Sequence, residues 1–377
     1  MLRAFGHAGL LVALLGSLSA PASAAGPDLS RLSIEDRAEA AARYLVATET
    51  EEGRFFYEFD FLKSRFGDAD NIVRQAAAGY VLNQFYFSSG LSGFSVPAAR
   101  TIAYYEKKSV PNGSGLILSE DGTIEGGRAG GAALALLAEL FHSRALGFDY
   151  RPDLRAAWVR GLAAQQLKDG DIAQRPGETE PDSYATGETW LALAHHADLA
   201  PDDAAANTVL DRLEQSVMTK YLVNLDREFA HWGLMAATQR FRTTGEKRYL
   251  DFIEQSARRY LRTLMPTTTD GMNGCAALEG LIAAATALAD NPTIGAEVRD
   301  RLERELPSNL NLQLRGDGTR LHFGPDRYYE DPKLKTLAGA FLNGAFVLRA
   351  RIDATQHCLS ALLHYRELAE GEGKWMR

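Results

Sequence analysis

Two kinds of helix alternate along this chain, and the alternation constrains the fold more than any other feature. One kind is built from Ala, Gly and Leu, as in residues 128–146 (RAGGAALALLAELFHSRAL) and 273–289 (NGCAALEGLIAAATALA). The other is longer-chained and charged, as in residues 247–265 (KRYLDFIEQSARRYLRTLM). A helix with small residues on every side is buried on every side, whereas a charged helix belongs at the surface. The alternation therefore predicts an inner layer of small-residue helices inside an outer layer of charged ones.

Apolar periodicity predicts twelve helices that fall into six such pairs. The small-residue helices recur roughly every 45–55 residues, with a gap of about 80 before the last, which is the range of a helical-hairpin repeat. Two concentric layers of six helices satisfy both packing demands, so we predict an all-α, two-layered closed ring. The predicted helices are 33–48, 70–88, 96–108, 128–146, 152–166, 184–199, 201–221, 226–243, 247–265, 273–289, 292–306 and 353–368.

Short extended segments interrupt the helices. Residues 53–62 alternate and are aromatic, which predicts a strand or hairpin arm. Residues 113–118 and 123–125 flank Asp121-Gly122, which predicts a hairpin. A second is predicted from 311–314 and 320–323 around residues 316–318. Residues 335–348 fit either a helix or a Gly-interrupted loop over a pocket.

The first 24 residues have the pattern of a secretory signal peptide. Arg3 precedes an apolar run over 8–20, and Ala22-Ser23-Ala24 fits a cleavage site. The run is too short to span a bilayer comfortably, and no later segment reaches about 18 uninterrupted apolar residues. We therefore expect an exported protein, periplasmic or secreted, with no transmembrane segment after signal removal and one domain over 25–377.

The charge balance bears on partners. The net charge is −8 and no basic cluster or basic–aromatic strip is present, so we expect no nucleic-acid partner. Gly-rich phosphate loops, HExxH and GxSxG are also absent from the sequence. We expect no cofactor and no bound metal.

The densest polar group lies in residues 353–365 (DATQHCLSALLHY), where Asp353 is placed to cap a helix. In a closed ring the amino ends of the inner helices meet on one face, and their free N–H groups favour anions there. We therefore expect the polar first turns to form one pocket. Its candidate residues are Asn71, Arg74, Glu125, Asp182, Tyr184, Glu188, Asp226, His231, Trp232, Asn273, Asp353, Gln356 and His357.

Within this set we assign catalytic roles to Glu188, His231, Asp353 and His357. Substrate-binding roles go to Asn71, Arg74, Glu125, Tyr184, Trp232, Asn273 and Gln356. Structural alternatives stay open for several of these.

Glu188 also fits a capping box, Arg74 also fits a brace for Asp353, and the His231-Trp232 pair also fits a packed core. Glu279 is predicted to be a structural partner of an arginine.

The chain has two cysteines, Cys275 and Cys358, each near the start of a predicted inner helix. In an oxidising compartment they can form one disulfide. The alternative is two buried free thiols that pack as small apolar groups.

The repeat pattern resembles that of the (α/α)6 toroids over nearly all of the chain. These include six-hairpin glycosidases, N-acylglucosamine 2-epimerase-like sugar isomerases, glucuronyl C5-epimerase-type domains, squalene-cyclase-like barrels and lanthionine cyclases. The phrases most similar to sugar-active toroids are Tyr184-Ala185-Thr186-Gly187-Glu188, His231-Trp232 and Leu278-Glu279-Gly280. The resemblance implies a toroid that acts on a carbohydrate.

Resemblance to the lanthionine cyclases would also imply zinc on Cys275, His357 and Cys358. The chain departs from that pattern, because His precedes Cys at 357–358 and no Trp precedes Cys275. An exported protein is also a poor place for thiolate zinc, so we disfavour this alternative.

We predict an exported glycan-processing enzyme, first a carbohydrate hydrolase, because acidic residues predominate at the predicted pocket face. A hydrolase needs two carboxyl groups, one of them protonated. The alternative is a uronic-sugar epimerase or polysaccharide lyase, in which His231 or His357 is the base and Arg74 holds a carboxylate. A second alternative is a non-catalytic glycan-binding or polysaccharide-assembly protein.

Overall fold

The computed structural model describes residues 33–264, 272–316, 319–324 and 327–370. The predicted signal peptide, residues 1–24, lies outside these residues, as do positions 317 and 318 of the turn predicted over 316–318. No described helix is long and apolar enough to cross a membrane.

Six helices form an inner layer in which each helix packs on the next. Helix α2 contacts α4, α4 contacts α6, and the series continues through α8, α10 and α12 back to α2. The prediction of a closed ring is confirmed by this cycle. The inner helices are α2 (Ile72–Ser89), α4 (Ala129–Leu146), α6 (Ser183–Leu199), α8 (Arg227–Thr244), α10 (Cys275–Ala287) and α12 (Ile352–Glu370).

Six further helices pack outside this ring, each against its inner neighbours. The amphipathic α9 shows why: it buries Tyr249, Phe252 and Ile253 and presents its charged residues outward. The outer helices are α1 (Ile34–Thr48), α3 (Ser95–Lys108), α5 (Pro152–Ala163), α7 (Ala204–Val223), α9 (Lys247–Arg259) and α11 (Ile294–Leu310). The architecture is an (α/α)6 toroid.

Small residues allow the inner helices to approach one another closely. A Cβ atom at Gly187 of α6 would lie 2.6 Å from Cβ of Trp232 on α8. A Cβ atom at Gly280 of α10 would lie 2.8 Å from Cα of His231. Real Cβ atoms do not approach so closely, so glycine sets the spacing of α6, α8 and α10.

Eight short strands lie in the connections. Three form the sheet β2-β1-β8, three form β3-β4-β5, and two form the hairpin β6-β7. The strands are β1 (Glu58–Asp60), β2 (Arg65–Phe66), β3 (Ser109–Asn112), β4 (Gly115–Ser119), β5 (Gly127–Arg128), β6 (Arg320–Gly324), β7 (Arg327–Glu330) and β8 (Arg349–Arg351).

Several predicted hairpins pair differently. Strand β4 pairs with β3 and β5, so residues 123–125 belong to the loop before β5. Strand β6 pairs with β7, whereas 311–314 contributes only a bridge between Gln313 and Phe341. Residues 335–348 contain the end of a short 3-10 turn and then a loop, not an α-helix. Local turn signals did not specify these long-range partners.

The two ends of the described chain meet in the fold. Helix α12 packs on both α1 and α2, and strand β8 pairs antiparallel with β1. Asp353 lies inside the first turn of α12 and is not its cap, because the helix begins at Ile352, two residues earlier than a cap at Asp353 would require.

Candidate active site

A cavity of about 480 Å³, here called the central cavity, opens where the amino ends of inner helices meet. Its wall comes from the first turns of α2, α6, α8 and α12 and from the segments before α4 and α6. The lining residues are Asn71, Val73, Arg74, Ala77, Arg128, Gln174, Arg175, Tyr184, Glu188, Trp232, Arg351, Asp353, Gln356 and His357.

Side-chain caps account for some of the polar residues at this face. Asn71, Asp182 and Asp226 each accept a hydrogen bond from a backbone N–H in the first turn of α2, α6 and α8. These oxygens satisfy N–H groups that helix geometry leaves free. Asn71 still lines the central cavity, whereas Asp182 and Asp226 serve the helix ends.

His357 on α12 and Glu279 on α10 form a dyad, in which the histidine is partly exposed. The distance from Nδ1 of His357 to Oε2 of Glu279 is 2.7 Å, and Glu279 is fully buried. Burial alone would lower the pKa of His357, but Glu279 outweighs it and raises that pKa above its usual value. Glu279 therefore partners a histidine, and the predicted arginine partner is wrong.

The dyad selects a tautomer. A carboxylate that accepts from Nδ1 leaves Nε2 of neutral His357 as a proton acceptor. His357 lines the central cavity, and its Nε2 makes no hydrogen bond to any described residue. The arrangement is that of a general base held in place by a buried carboxylate.

His231 and Trp232, both on α8, lie next to the His357–Glu279 dyad. The His231 ring centroid is 4.7 Å from that of Trp232 and 5.6 Å from that of His357. His231 does not line the central cavity, and burial with the nearby His357 lowers its pKa well below the usual value. Trp232 does line it, and its Nε1 has no hydrogen-bond partner among the described residues.

Glu188 on α6 is the most perturbed acid of the cavity. It is 3% exposed, and burial, with a smaller contribution from Asp182, raises its pKa to about 8. Its Oε2 finds no hydrogen-bond partner in the described part of the chain. A Cβ atom at Gly130 would lie 1.9 Å from that oxygen, so glycine provides the space for this carboxyl group. Glu188 is thus a protonated acid at neutral pH.

Asp353 joins two arginines at the edge of the cavity. Arg351 donates from Nε and Nη2 to its two oxygens, at 3.0 and 2.8 Å, and Nε of Arg74 lies 3.2 Å from Oδ2. Arg74 also donates to the hydroxyl of Tyr57. The brace that was left open for Arg74 is present, and it places both guanidinium groups at the cavity.

A disulfide stabilises the dyad. Cys275 and Cys358 form a disulfide, with Cα atoms 4.8 Å apart and a sequence separation of 83. Cys275 lies one turn before Glu279 on α10, and Cys358 follows His357 on α12. The cross-link therefore fixes the two helix ends that carry the dyad. With both sulfurs bonded, the disfavoured zinc set of two thiolates and His357 does not form in this structure.

A second cavity of about 490 Å³ adjoins the first and shares Arg351, Asp353 and His357 with it. It is lined also by Asn273, whose amide nitrogen donates to Leu342 O at 2.9 Å. This second cavity lies between the start of α10 and the loop before β8.

One group of side chains could hold a metal ion. The ligand atoms of His231, Glu279 and His357 lie within 4.8 Å of one another. Two histidines and a carboxylate are a known ligand set for divalent transition metals. In this geometry the 2.7 Å hydrogen bond joins two of the ligands to each other, which favours the dyad.

Most of the predicted site residues meet at one place. The central cavity is lined by Asn71, Arg74, Tyr184, Glu188, Trp232, Asp353, Gln356 and His357. Asn273 lines the second cavity, and His231 contacts the rings of Trp232 and His357. Glu125 is exposed in the loop before β5 and lines neither. Its position in a loop, not at a helix start, separates it from the rest.

Sequence reasoning missed several lining residues. Arg128, Gln174, Arg175 and Arg351 line the central cavity, and all four precede an inner helix in the structure. Gln174, Arg175 and Arg351 also precede the predicted helices, so the expectation that first turns form the pocket did not include them. Gln174 accepts from the Gly130 N–H at 3.1 Å, so this connection is held against the start of α4.

Comparison with known proteins gives a likeness in fold. No known family model and no curated protein matches the sequence. Among solved structures, a D-mannose isomerase is 14% identical with a TM-score of 0.64, over 89% of this chain and 97% of that one.

An inactive α-1,6-mannanase variant of Salegentibacter sp., in complex with α-1,6-mannotetrose, is 14% identical with a TM-score of 0.64. The match covers 89% of this chain and 100% of that one. An unsaturated glucuronyl hydrolase specific for heparin is 13% identical with a TM-score of 0.61, over 89% of this chain and 98% of that one. At these identities the likeness concerns the fold.

Proposed function

We propose that this protein is a carbohydrate-processing enzyme that moves a carbon-bound proton of a sugar, as an isomerase or epimerase does. The observation that carries the proposal is the His357–Glu279 dyad, whose free Nε2 belongs to a cavity-lining side chain. A histidine can remove a proton next to a carbonyl group when its imidazole is neutral and its tautomer leaves one ring nitrogen as the acceptor.

The opposite wall supplies an acid. In the ring order α2, α4, α6, α8, α10, α12, the helix carrying Glu188 stands three positions from the helix carrying His357. His357 Nε2 would take the proton from carbon, while the protonated Glu188 gives its proton to the carbonyl oxygen. In an isomerase, His357 returns its proton to the former carbonyl carbon of the enediol, while the other enediol hydroxyl gives its proton to Glu188 and becomes the new carbonyl group. In an epimerase, water protonates the same carbon on its other face, the enediol hydroxyl returns its proton to Glu188, and His357 releases its proton to solvent.

The remaining lining residues suit a sugar. Trp232 contributes part of its indole ring to the lining, and the amides of Asn71, Gln174 and Gln356 can bind hydroxyl groups. The likeness in fold to a D-mannose isomerase and to two glycoside hydrolases is consistent with this substrate class. It supports the class of substrate and leaves the residue roles to the geometry of this chain.

The test is exchange of carbon-bound hydrogen in D₂O. A panel of aldoses, ketoses and uronic acids is incubated with the protein, and ¹H NMR follows loss of the signal next to the carbonyl group. We expect exchange in the native protein and a loss of at least about 10²-fold in His357→Gln.

The control is His196→Gln, which removes a buried histidine that bonds Asp203 at the carboxyl end of α6. Exchange that survives His357→Gln, or no exchange with any sugar, would contradict the proposal. Chelation of metal ions before the assay should leave exchange unchanged.

A carbohydrate hydrolase is the second candidate, and Glu188 favours it. A buried carboxyl group with a pKa of about 8 is protonated at neutral pH, as the acid of a glycosidase must be. Asp353 is the other carboxyl group of the cavity, and it is bound by Arg74 and Arg351. Release of a chromophore from aryl glycosides, lost in Glu188→Gln, would favour the hydrolase over the isomerase.

We also infer export from the signal-like pattern of residues 1–24, which the disulfide supports, because disulfides persist in oxidising compartments. Amino-terminal sequencing of the mature protein tests this, with Ala25 as the expected first residue.

A further inference from the structure

Four arginines line the central cavity, and they come from four separate segments. Arg74 lies on α2, Arg128 ends β5, Arg175 lies in the connection before α6, and Arg351 ends β8. Because no two are neighbours in sequence, their convergence is a property of the fold. It was not visible as a basic cluster, and the whole chain carries a net charge of −8.

The lining of the central cavity has fewer carboxyl groups than arginines. The carboxyl groups that line it are Asp353, which Arg74 and Arg351 share, and Glu188, which burial keeps protonated at neutral pH because its pKa is about 8. Arg128 and Arg175 have acidic neighbours outside the lining. Glu120 lies 2.7 Å from Arg128, and Glu178 lies 4.0 Å from Arg175, at the outer limit of an ion pair.

The backbone adds to the positive potential. The first turns of α2, α6, α8 and α12 reach the cavity with their amino ends, where the helix dipole carries partial positive charge. The four guanidinium groups and the helix amino ends together favour an anionic ligand. An uncharged sugar would leave this potential unused.

We propose that the central cavity binds a sugar that carries an anionic group, a carboxylate or a sulfate ester, through Arg74, Arg128, Arg175 and Arg351. The proposal rests on the sugar-processing function above and names the class of sugar. Arg175 is the arginine with most freedom to rotate toward a ligand, since half of its side chain is exposed. Arg128 is fixed by its bond to the Gly127 carbonyl at 2.9 Å and offers a preformed guanidinium group.

Binding is measured by calorimetry on the intact mature protein with D-glucuronate, D-galacturonate and glucose 6-sulfate. D-Glucose and D-galactose are the uncharged counterparts. We expect each charged sugar that binds to do so at least tenfold more tightly than its counterpart. The preference between glucuronate and glucose 6-sulfate identifies the group as a carboxylate or a sulfate. Higher NaCl should weaken the charged sugars alone.

The double variant Arg128→Gln/Arg175→Gln should reduce that preference at least tenfold, and Arg128→Lys/Arg175→Lys should keep part of it. Arg43→Gln removes one arginine charge from an exposed site on α1 paired with Glu39, and it should leave the preference unchanged. Circular dichroism establishes that the variants are folded.

Equal affinity for charged and uncharged sugars, or a preference that survives the double glutamine variant, would overturn the anionic site. So would failure of every charged sugar to bind. Tight binding of a charged sugar without exchange of its carbon-bound hydrogen would instead retain the site and contradict the proposed reaction.

Discussion

Oε2 of Glu279 lies 2.7 Å from Nδ1 of His357, and these two residues, on different helices, are 78 positions apart in the chain. Glu279 is fully buried and His357 is partly exposed at the junction of α10 and α12, with the Cys275–Cys358 disulfide beside them. The pair is the feature on which the proposed reaction depends, and its consequences can be measured.

Glu279→Gln should lower the pKa of His357. The carboxylate is what raises that pKa, and without it burial dominates and lowers the value. NMR titration of the His357 ring measures the change directly. If His357 is the base, the acid limb of the exchange rate should move to lower pH, while the maximal rate falls because the tautomer is no longer fixed. An unchanged His357 titration would contradict the coupling.

Glu188 should make stability depend on pH. Its folded pKa of about 8 lies above the unfolded value of about 4.5, so its proton is bound more tightly in the folded state. The stabilisation is complete below pH 4.5 and is lost as the pH rises through 8. Relative to Glu188→Gln, native stability should fall by about 3 to 5 kcal/mol between pH 5 and pH 8. Urea unfolding at both values, compared between the two proteins, measures this difference.

Gly130→Ala should displace the Glu188 carboxyl group, because the new Cβ would lie 1.9 Å from Oε2. We expect a loss of about 1 to 3 kcal/mol of stability from overpacking, and a lower pH midpoint for Glu188 if the carboxyl group moves toward solvent. Gly93→Ala is the matched control, since a Cβ there meets nothing within 4 Å. Equal effects of the two substitutions would contradict the close contact.

Removal of the disulfide should destabilise the protein and loosen the dyad. For a loop closed across 83 positions, the chain-entropy estimate is about 4.5 kcal/mol. Cys275→Ser/Cys358→Ser should therefore unfold at lower denaturant concentration, and the His357 pKa should move toward that of Glu279→Gln. Reduction of the native protein provides the same comparison without substitution. Full retention of stability after reduction would show that packing alone holds α10 against α12.

The ring could be predicted because its signal is spread over the whole chain. Helices such as 128–146 and 273–289 have almost no polar face, and only an inner layer accommodates six of them. Strand pairing could not be predicted in the same way. Strand β8 at residues 349–351 pairs with β1 at residues 58–60, and short strands carry no sequence signal for so distant a partner.

Site residues could be predicted from the sequence where they lie at the start of an inner helix. Arg74, Glu188 and His357 stand in first or second turns, and one geometric argument brings them to the same face. Arg128 and Arg351 precede their helices in short strands, and Glu279 looked like an isolated acid in an apolar helix. Its partner lies on another helix, and a single sequence does not record that proximity.

Helix α12 completes the ring and the site. Because α12 packs between α10 and α2 and carries Asp353 and His357, the preceding helices can assemble only an open arc with one wall missing. During synthesis, neither the dyad nor the Arg74–Asp353 bond can exist before α12 is made. Binding competence should therefore arise in one late step, which makes ligand capture a sensitive reporter of ring closure.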